Sequence, residues 1–248
     1  MAKDKEPAAP KSEGAPSDPR SRIVDALMAL AGEQPFEEIS ISAISAKAGV
    51  SLADFRDYFP SKGAVLAGFS KRIDRAVLQG QTDDLATEEP KERLFDVLMR
   101  RLDAMSPYRE GLREITRWLR REPLSALAVN QVVVNSMRFM LEAAGIESDG
   151  GAGALKLQGL AIAWGRIVDV WLDDEEPELS KTMAALDREL SRGERIVERV
   201  ESLDRFAGPL KALARAAFET RRRAAESFRH RPQRAAKEPD SHEHRRGE

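Results

Sequence analysis

The stretch Ile41-Ser-Ala-Ile-Ser-Ala-Lys-Ala-Gly-Val-Ser51 decides how this chain is read. Ile41, Ile44 and Ala48 recur at three- and four-residue steps, so they share one face of a short helix and can pack against a neighbour. Ser40 precedes them with a hydroxyl suited to accept a first-turn amide, which predicts a helix from Ile41 to Ala48. Gly49 comes where the chain must turn sharply, often with positive φ, a conformation glycine tolerates. Val50 then plugs the core and Ser51 caps a further helix over Leu52–Phe59. Asp54, three residues on, has the spacing of a capping box, with Asp in place of the usual Glu. Phe55 and Phe59 lie one turn apart and face inward, which leaves Leu52, Ala53, Arg56 and Asp57 outside. Two short helices, a glycine turn and an outward polar face make a helix-turn-helix.

Working outward, Ile23, Leu27, Leu30 and Ala31 give a first helix from about Ser21, stopped by Gly32–Pro35. Pro60 ends the third helix, and Ser61 caps a fourth that reaches about Gln79. The polar stretch Gly80–Pro90 is the expected seam between a head and a body. Helical spacing resumes near Lys91–Met105, Tyr108–Arg121, Leu124–Ala144, Ala154–Leu172, Leu179–Val200 and Leu203–Phe228. Neither strand alternation nor an internal repeat is present. The expected fold is all-α, with a disordered Pro/Ala/charged arm at 1–19 and a helix-turn-helix head at 20–80. A helical body at 81–230 and a polar, disordered tail at 231–248 complete it.

Composition excludes several classes of chemistry. Cysteine is absent, so there is no disulfide, thiolate nucleophile or thiolate metal site. The three histidines, His230, His242 and His244, all fall in the C-terminal tail. A core without His or Cys lacks the commonest catalytic dyads and a typical zinc site, which argues against an enzyme and implies no cofactor. The polar N-terminus has no apolar h-region and no apolar run approaches a membrane span, so the expected location is the cytoplasm. Net charge is −2, and residues 21–80 carry seven bases against seven acids. That balance does not announce a phosphate-binding surface, although a small local patch suffices for one.

The order Ala-Gly-Val-Ser, a short helix ending Tyr58-Phe59, then Pro-Ser-Lys62 and Leu66 resembles the DNA-binding head of the TetR family over about residues 20–70. The resemblance implies a DNA-binding transcriptional regulator, typically a repressor, that dimerises and is relieved by a small apolar effector. Carried onto this chain, Ser40, Ser51, Tyr58 and Lys62 would touch operator phosphates, while Leu52 and Ala53 would approach base edges. Arg56 stands where the family usually has a tyrosine, and its guanidinium suits phosphate or guanine. Two positions depart from the family. Asp57 adds an acid to the outward face, and Ser42 lacks the frequent basic side chain.

The body is less specific. Leu94, Leu98, Leu102 and Met105 form one apolar stripe, Leu112, Ile115 and Leu119 another, and Val132, Val133, Met137, Met140 and Leu141 a third. Each is either ordinary core or the wall of a cavity between helices; in the second case Met105, Trp118, Met137, Met140 and Trp164 suit an apolar or aromatic effector. Gly159, Ala161, Ala163 and Gly165 allow close helix approach, within the chain or across a homodimer built on the helices near 155–172 and 179–200. A looser resemblance covers residues 100–190. Met105-Ser-Pro107-Tyr108, Trp118, Val170-Trp-Leu-Asp-Asp174, Pro177, Thr182 and Leu186-Asp187 are similar to the TetR-fold accessory proteins of ubiquinone biosynthesis, which implies isoprenoid lipid as the alternative partner. Aromatic residues expected between Gly150 and Gly159 are missing from it. Residues 203–229 alternate Phe206, Leu210, Leu213 and Phe218 with Lys211, Arg215 and Arg221–Arg223. They suit either packing on the body or peripheral contact with an anionic membrane. The acidic run Asp173–Glu176 is expected to be a solvated loop.

Overall fold

Helix α1 (Pro19–Glu33) begins on a proline, whose fixed φ and missing amide hydrogen suit a first helical turn. It buries Ile23, Val24, Ala26, Leu27, Met28 and Ala31, the stripe its spacing predicts with the neighbours filled in. The computed structural model describes residues 18–80, 87–197 and 199. Residues 1–17 of the expected N-terminal arm, the amphipathic segment 203–229 and the polar tail lie outside the described residues, while Asp18 and Pro19, expected in that arm, open α1. A first compact unit runs through Arg195, and a second begins at Ile196.

A 3-10 turn at Phe36–Glu38 leads from α1 to α2 (Ile41–Ala48), α3 (Leu52–Tyr58) and the longer α4 (Lys62–Gln79). These helices enclose Phe36, Ile39, Ile44, Phe55, Phe59 and Val65, each at most 2% exposed. Burying such a side chain is worth about 1.5–3 kcal/mol, while an exposed ion pair is worth about 0–1 kcal/mol, so this core and not the surface charges holds the head. Ile41 is 38% exposed and does not join that core. It occupies the first position of α2, and Ile39 from the preceding turn fills the place expected of it.

The body comprises α5 (Pro90–Met105), α6 (Arg109–Leu119), α7 (Pro123–Ala143) and α8 (Gly150–Asp173), with a ninth helix, α9, running from residue 180 through 195. No strand occurs among the described residues. Leu94, Leu98, Leu102, Met105, Ile115, Met137, Met140 and Leu141 are buried as their stripes predict, while Leu112, Leu119, Val132 and Val133 of the same stripes are half-buried. Head and body meet directly, α1 crossing α6 and α4 packing on α5 and α7. The α1–α6 crossing is close, because a Cβ on Gly111 would lie 2.6 Å from the Met28 carbonyl oxygen.

α7 differs from its sequence-based expectation. Its 21 residues include an 18-residue window of mean hydropathy 1.2, apolar enough by length and composition to cross a membrane. Polar residues Asn130, Gln131, Asn135, Ser136 and Arg138 interrupt it, and its C-terminal half buries Ser136, Met137, Met140 and Leu141 within the unit. Leu124 and Leu127 near its start are 83% and 69% exposed.

The acidic run is also not wholly solvated. Asp174 is fully buried and accepts hydrogen bonds from Thr182 N at 2.9 Å, Thr182 Oγ1 at 2.7 Å and Glu176 N at 3.2 Å, which fixes the first turn of α9. Across from it, Arg109 donates to the Trp171 and Asp174 carbonyls and Arg113 donates to Leu172 O at 2.6 Å. The carbonyls at the end of α8 accept from these guanidinium groups of α6, Trp171 O also accepting from Asp174 N.

Candidate nucleic-acid interface

The helix-turn-helix is held by its own capping groups. Ser40 Oγ accepts from Ala43 N at 3.0 Å. Gly49 ends α2 at φ +62°, ψ +43°, the left-handed conformation its position predicts. Ser51 Oγ accepts from Asp54 N at 3.0 Å, and the Asp54 carboxylate accepts from Ser51 N at 3.2 Å and from Ser51 Oγ at 2.6 Å, closing the capping box. The hydrogen bonds from the Ser51 hydroxyl and then from its amide hold the Asp54 carboxyl below its ordinary range. Asp54 is thereby committed to the turn. Ser61 caps α4 in the same way, accepting from Ala64 N at 3.2 Å.

With its ends capped, α3 rests on Phe55 and on Phe59 just after it, both 2% exposed with ring centroids 6.4 Å apart. Its outward face presents Leu52, Ala53, Arg56, Asp57 and Tyr58, all exposed, with Leu52 at 56%. Arg56 and Asp57 make no hydrogen bond or ion pair with another described residue. An apolar side chain and a guanidinium side by side on an exposed helix suit a surface that offers both methyl groups and acceptors, as the major groove does.

Lys62, expected at a phosphate, is held against Phe36. Its ammonium donates to the Phe36 carbonyl at 2.9 Å and stands 4.8 Å from the Phe36 ring centroid. Burial lowers its pKa, partly opposed by Glu37. Lys47 is bound to Glu33 at 2.7 Å and Arg72 to Asp25 at 2.6 Å, so several head cations already have partners. Two cations that sequence reasoning missed stand beside the motif. The Arg20 guanidinium lies 4.8 Å over the Phe59 ring at the C-terminal end of α3. Arg22 reaches to within 3.5 Å of the position a Cβ on Gly49 would take, and its buried Nε has no partner among the described residues. Arg20 and Arg22 sit at alternate positions in the first turn of α1. Neither belongs to the 41–59 pattern, and only the fold brings them to it.

The residues expected to line an effector pocket do not all converge. Met105, Met137, Met140 and Trp164 are buried in the body, at 6%, 0%, 0% and 4% exposure. Trp118 instead packs its ring on Phe36, centroids 4.5 Å apart, at the head–body contact. An open cleft of about 450 Å³ lies elsewhere, lined by Met28, Ala29, Gly32 and Glu33 of α1 and by residues 106–111.

Residues 23–68 match the family described as bacterial regulatory proteins, tetR family. Comparison with curated proteins finds no match. The structure resembles a TetR transcriptional regulator from Nitrosomonas europaea ATCC 19718, with a TM-score of 0.55 at 22% identity over 71% of this chain and 97% of that one. It also resembles one from Rhodococcus sp. RHA1, with a TM-score of 0.52 at 20% identity over 71% of this chain and 95% of that one. The head is similar to a tetR-family domain, and about 71% of the chain follows the fold of these two regulators.

Proposed function

We propose that this chain is a homodimeric DNA-binding transcriptional regulator, acting as a repressor that a small apolar effector relieves. The observation that carries the reading is the outward face of α3: Leu52, Ala53 and Arg56 are exposed while every capping and core residue of the motif is engaged in holding it. In this reading α3 enters the major groove, Leu52 and Ala53 approach base edges, and Arg56 donates to guanine or phosphate. Ser40, Ser51 and Tyr58 approach the flanking phosphates, joined by Arg20 and Arg22. Lys62 joins them with the donors left over from its bond to the Phe36 carbonyl.

Two heads must reach successive major grooves about 34–36 Å apart, which calls for a dimer. The outer face of α8 suits that role. Leu155 and Ile162 are 52% and 50% exposed, and a Cβ on Gly159 or Gly165 would meet nothing within 4 Å. Ala161 and Ala163 are instead buried, serving packing within the chain. Much of the exposed side of α9 is charged, with Lys181, Asp187, Arg188 and Arg192, so α8 is the more apolar contributor. The effector site is assigned to the body around Met105, Met137, Met140 and Trp164, where a ligand would displace packed side chains and so favour a different head spacing.

Of the residues that suggested the lipid-carrier alternative, Trp171, Asp174 and Thr182 have structural work, while Ser106, Pro107 and Tyr108 line the open cleft. Trp171 is fully buried beneath the Arg109 guanidinium, 5.0 Å from its ring centroid, and Asp174 and Thr182 bind each other. A mobility-shift titration with the DNA upstream of the chain's own gene tests the proposal. A retarded complex at low salt is expected; no shift together with co-purified isoprenoid lipid would overturn it.

A further inference from the structure

α4 runs from the recognition motif into the body, and its body end is held by a buried ion pair. Asp74 on α4 accepts from the Arg101 guanidinium of α5, and Ser136 Oγ of α7 donates to the same carboxylate oxygen at 2.6 Å. The side chains of Arg101 and Asp74 are only 5% and 12% exposed. A second Arg101 nitrogen reaches Ser70 Oγ, one turn earlier on α4, at 3.4 Å, and the guanidinium lies 5.4 Å from the ring centroid of Trp164 on α8. Three helices thus meet on one oxygen, with the fourth lying over the cation.

Removing two charges from water offsets most of their attraction, so apolar residues of similar volume would bind these helices at least as well. What the pair adds is discrimination between positions. A slide of α4 by one turn, about 5.4 Å, would leave a buried carboxylate and a buried guanidinium without partners. At its other end α4 starts at Lys62, directly after Phe59 and the Ser61 cap, and Gly68 of α4 lies against the Phe59 ring, where a Cβ would approach to 2.8 Å. The orientation of α4 is therefore also that of α3. The twelve steps from Lys62 to Asp74 span about 18 Å of helix, so a tilt of about 10° displaces the head end by about 3 Å.

We propose that Asp74 and Arg101 are positioning residues for operator binding: their buried pair, with Ser136, sets the angle of α4 and hence where α3 is presented to DNA. This rests on the DNA-binding reading above. The pair specifies the arrangement and does not supply net stability.

The test replaces both partners, Asp74→Leu with Arg101→Met, in the full chain. The expected variant stays folded and melts close to the parent, the Ser136 hydroxyl having lost its acceptor, yet binds operator about 10-fold or more weakly and loses the preference for one half-site spacing. Parental affinity and spacing preference in that variant would overturn the proposal. Asp74→Glu is a second probe that keeps both charges but lengthens the link by one methylene. Severalfold weaker binding with little change in melting supports the positioning role, and unchanged binding contradicts it.

The cysteine-free sequence permits a measurement that needs no DNA. Spin labels on Glu38→Cys and Glu147→Cys, in chains diluted with unlabelled protein, report the head-to-body distance. The parent should give one narrow distribution and the double variant a broad or shifted one; identical distributions would overturn the proposal. If the parent binds no DNA, the regulator reading fails by itself, and the distance distributions still decide whether the pair positions α4.

Discussion

Gly49 holds φ at +62°, and the nearest atom to an added Cβ is an Arg22 nitrogen at 3.5 Å, so the barrier to a side chain there is conformational and not spatial. Gly49→Ala should therefore lower unfolding stability by about 1–2 kcal/mol, read as a shift in denaturant midpoint. Ser51 does two jobs, accepting from Asp54 N and donating to its carboxylate. Ser51→Ala should cost about 1 kcal/mol and leave Asp54 as a loose acid beside the proposed groove surface. Arg56 and Arg20 separate by the kind of contact proposed for each. Arg56→Ala should weaken operator binding by about 1–3 kcal/mol and relax specificity at one base pair, if Arg56 reads a base. Arg20→Ala should weaken all sequences alike and reduce the salt dependence of log K by about one unit of slope. Anisotropy titrations on matched and mutated sites distinguish the two. The same loss on every sequence for Arg56→Ala would move it from base reading to phosphate contact.

Among elements, the α1–α6 crossing and the α8–α9 junction carry the sharpest expectations. Gly111→Ala would place a Cβ 2.6 Å from the Met28 carbonyl oxygen, backbone that cannot rotate away, so the two helices must separate. A loss of about 1–3 kcal/mol is expected in thermal unfolding, and parental stability would show that the crossing is slack. At the α8–α9 junction the Thr182 hydroxyl, against the opposing effect of burial and with help from the Thr182 and Glu176 amides, holds the Asp174 carboxyl below 3.8. A carboxyl with its pKa depressed in the folded state stabilises fully above the unfolded value and loses that contribution as pH falls through the lower, folded one. The melting difference between the parent and Asp174→Asn should therefore be present at pH 7 and shrink as pH falls below 3.8; a gap independent of pH would contradict the assignment.

These elements also show what a single sequence can disclose. The caps Ser40, Gly49, Ser51 and Ser61 act within a few residues, so spacing reveals them. Asp174 binds Thr182 eight residues away and Asp74 binds Arg101 twenty-seven away. No periodicity announces such partners, and an acidic run or a helical Asp looks solvated until the fold brings the donor. Trp118 lies on α6 beside its apolar stripe, and its contact with Phe36 depends on how α6 crosses the head. Arg20 and Arg22 escaped for the same reason, since they join the motif through packing and not through register.

For the whole molecule, the near balance of head charges implies few phosphate contacts and a correspondingly modest salt slope, about 0.9 per phosphate neutralised. In the proposed reading, affinity then comes mainly from the fit of two α3 helices to one duplex, through the proposed dimer and the angle of α4. The most direct measurement of this account is selection of random duplexes by the purified full-length chain, followed by binding to the enriched site. The account predicts enrichment of a two-fold related sequence, with half-sites about one helical turn apart or a multiple of it, bound by two chains and weakened by Arg56→Ala. A chain that folds and dimerises but enriches no sequence, and shifts no duplex at low salt, would contradict it.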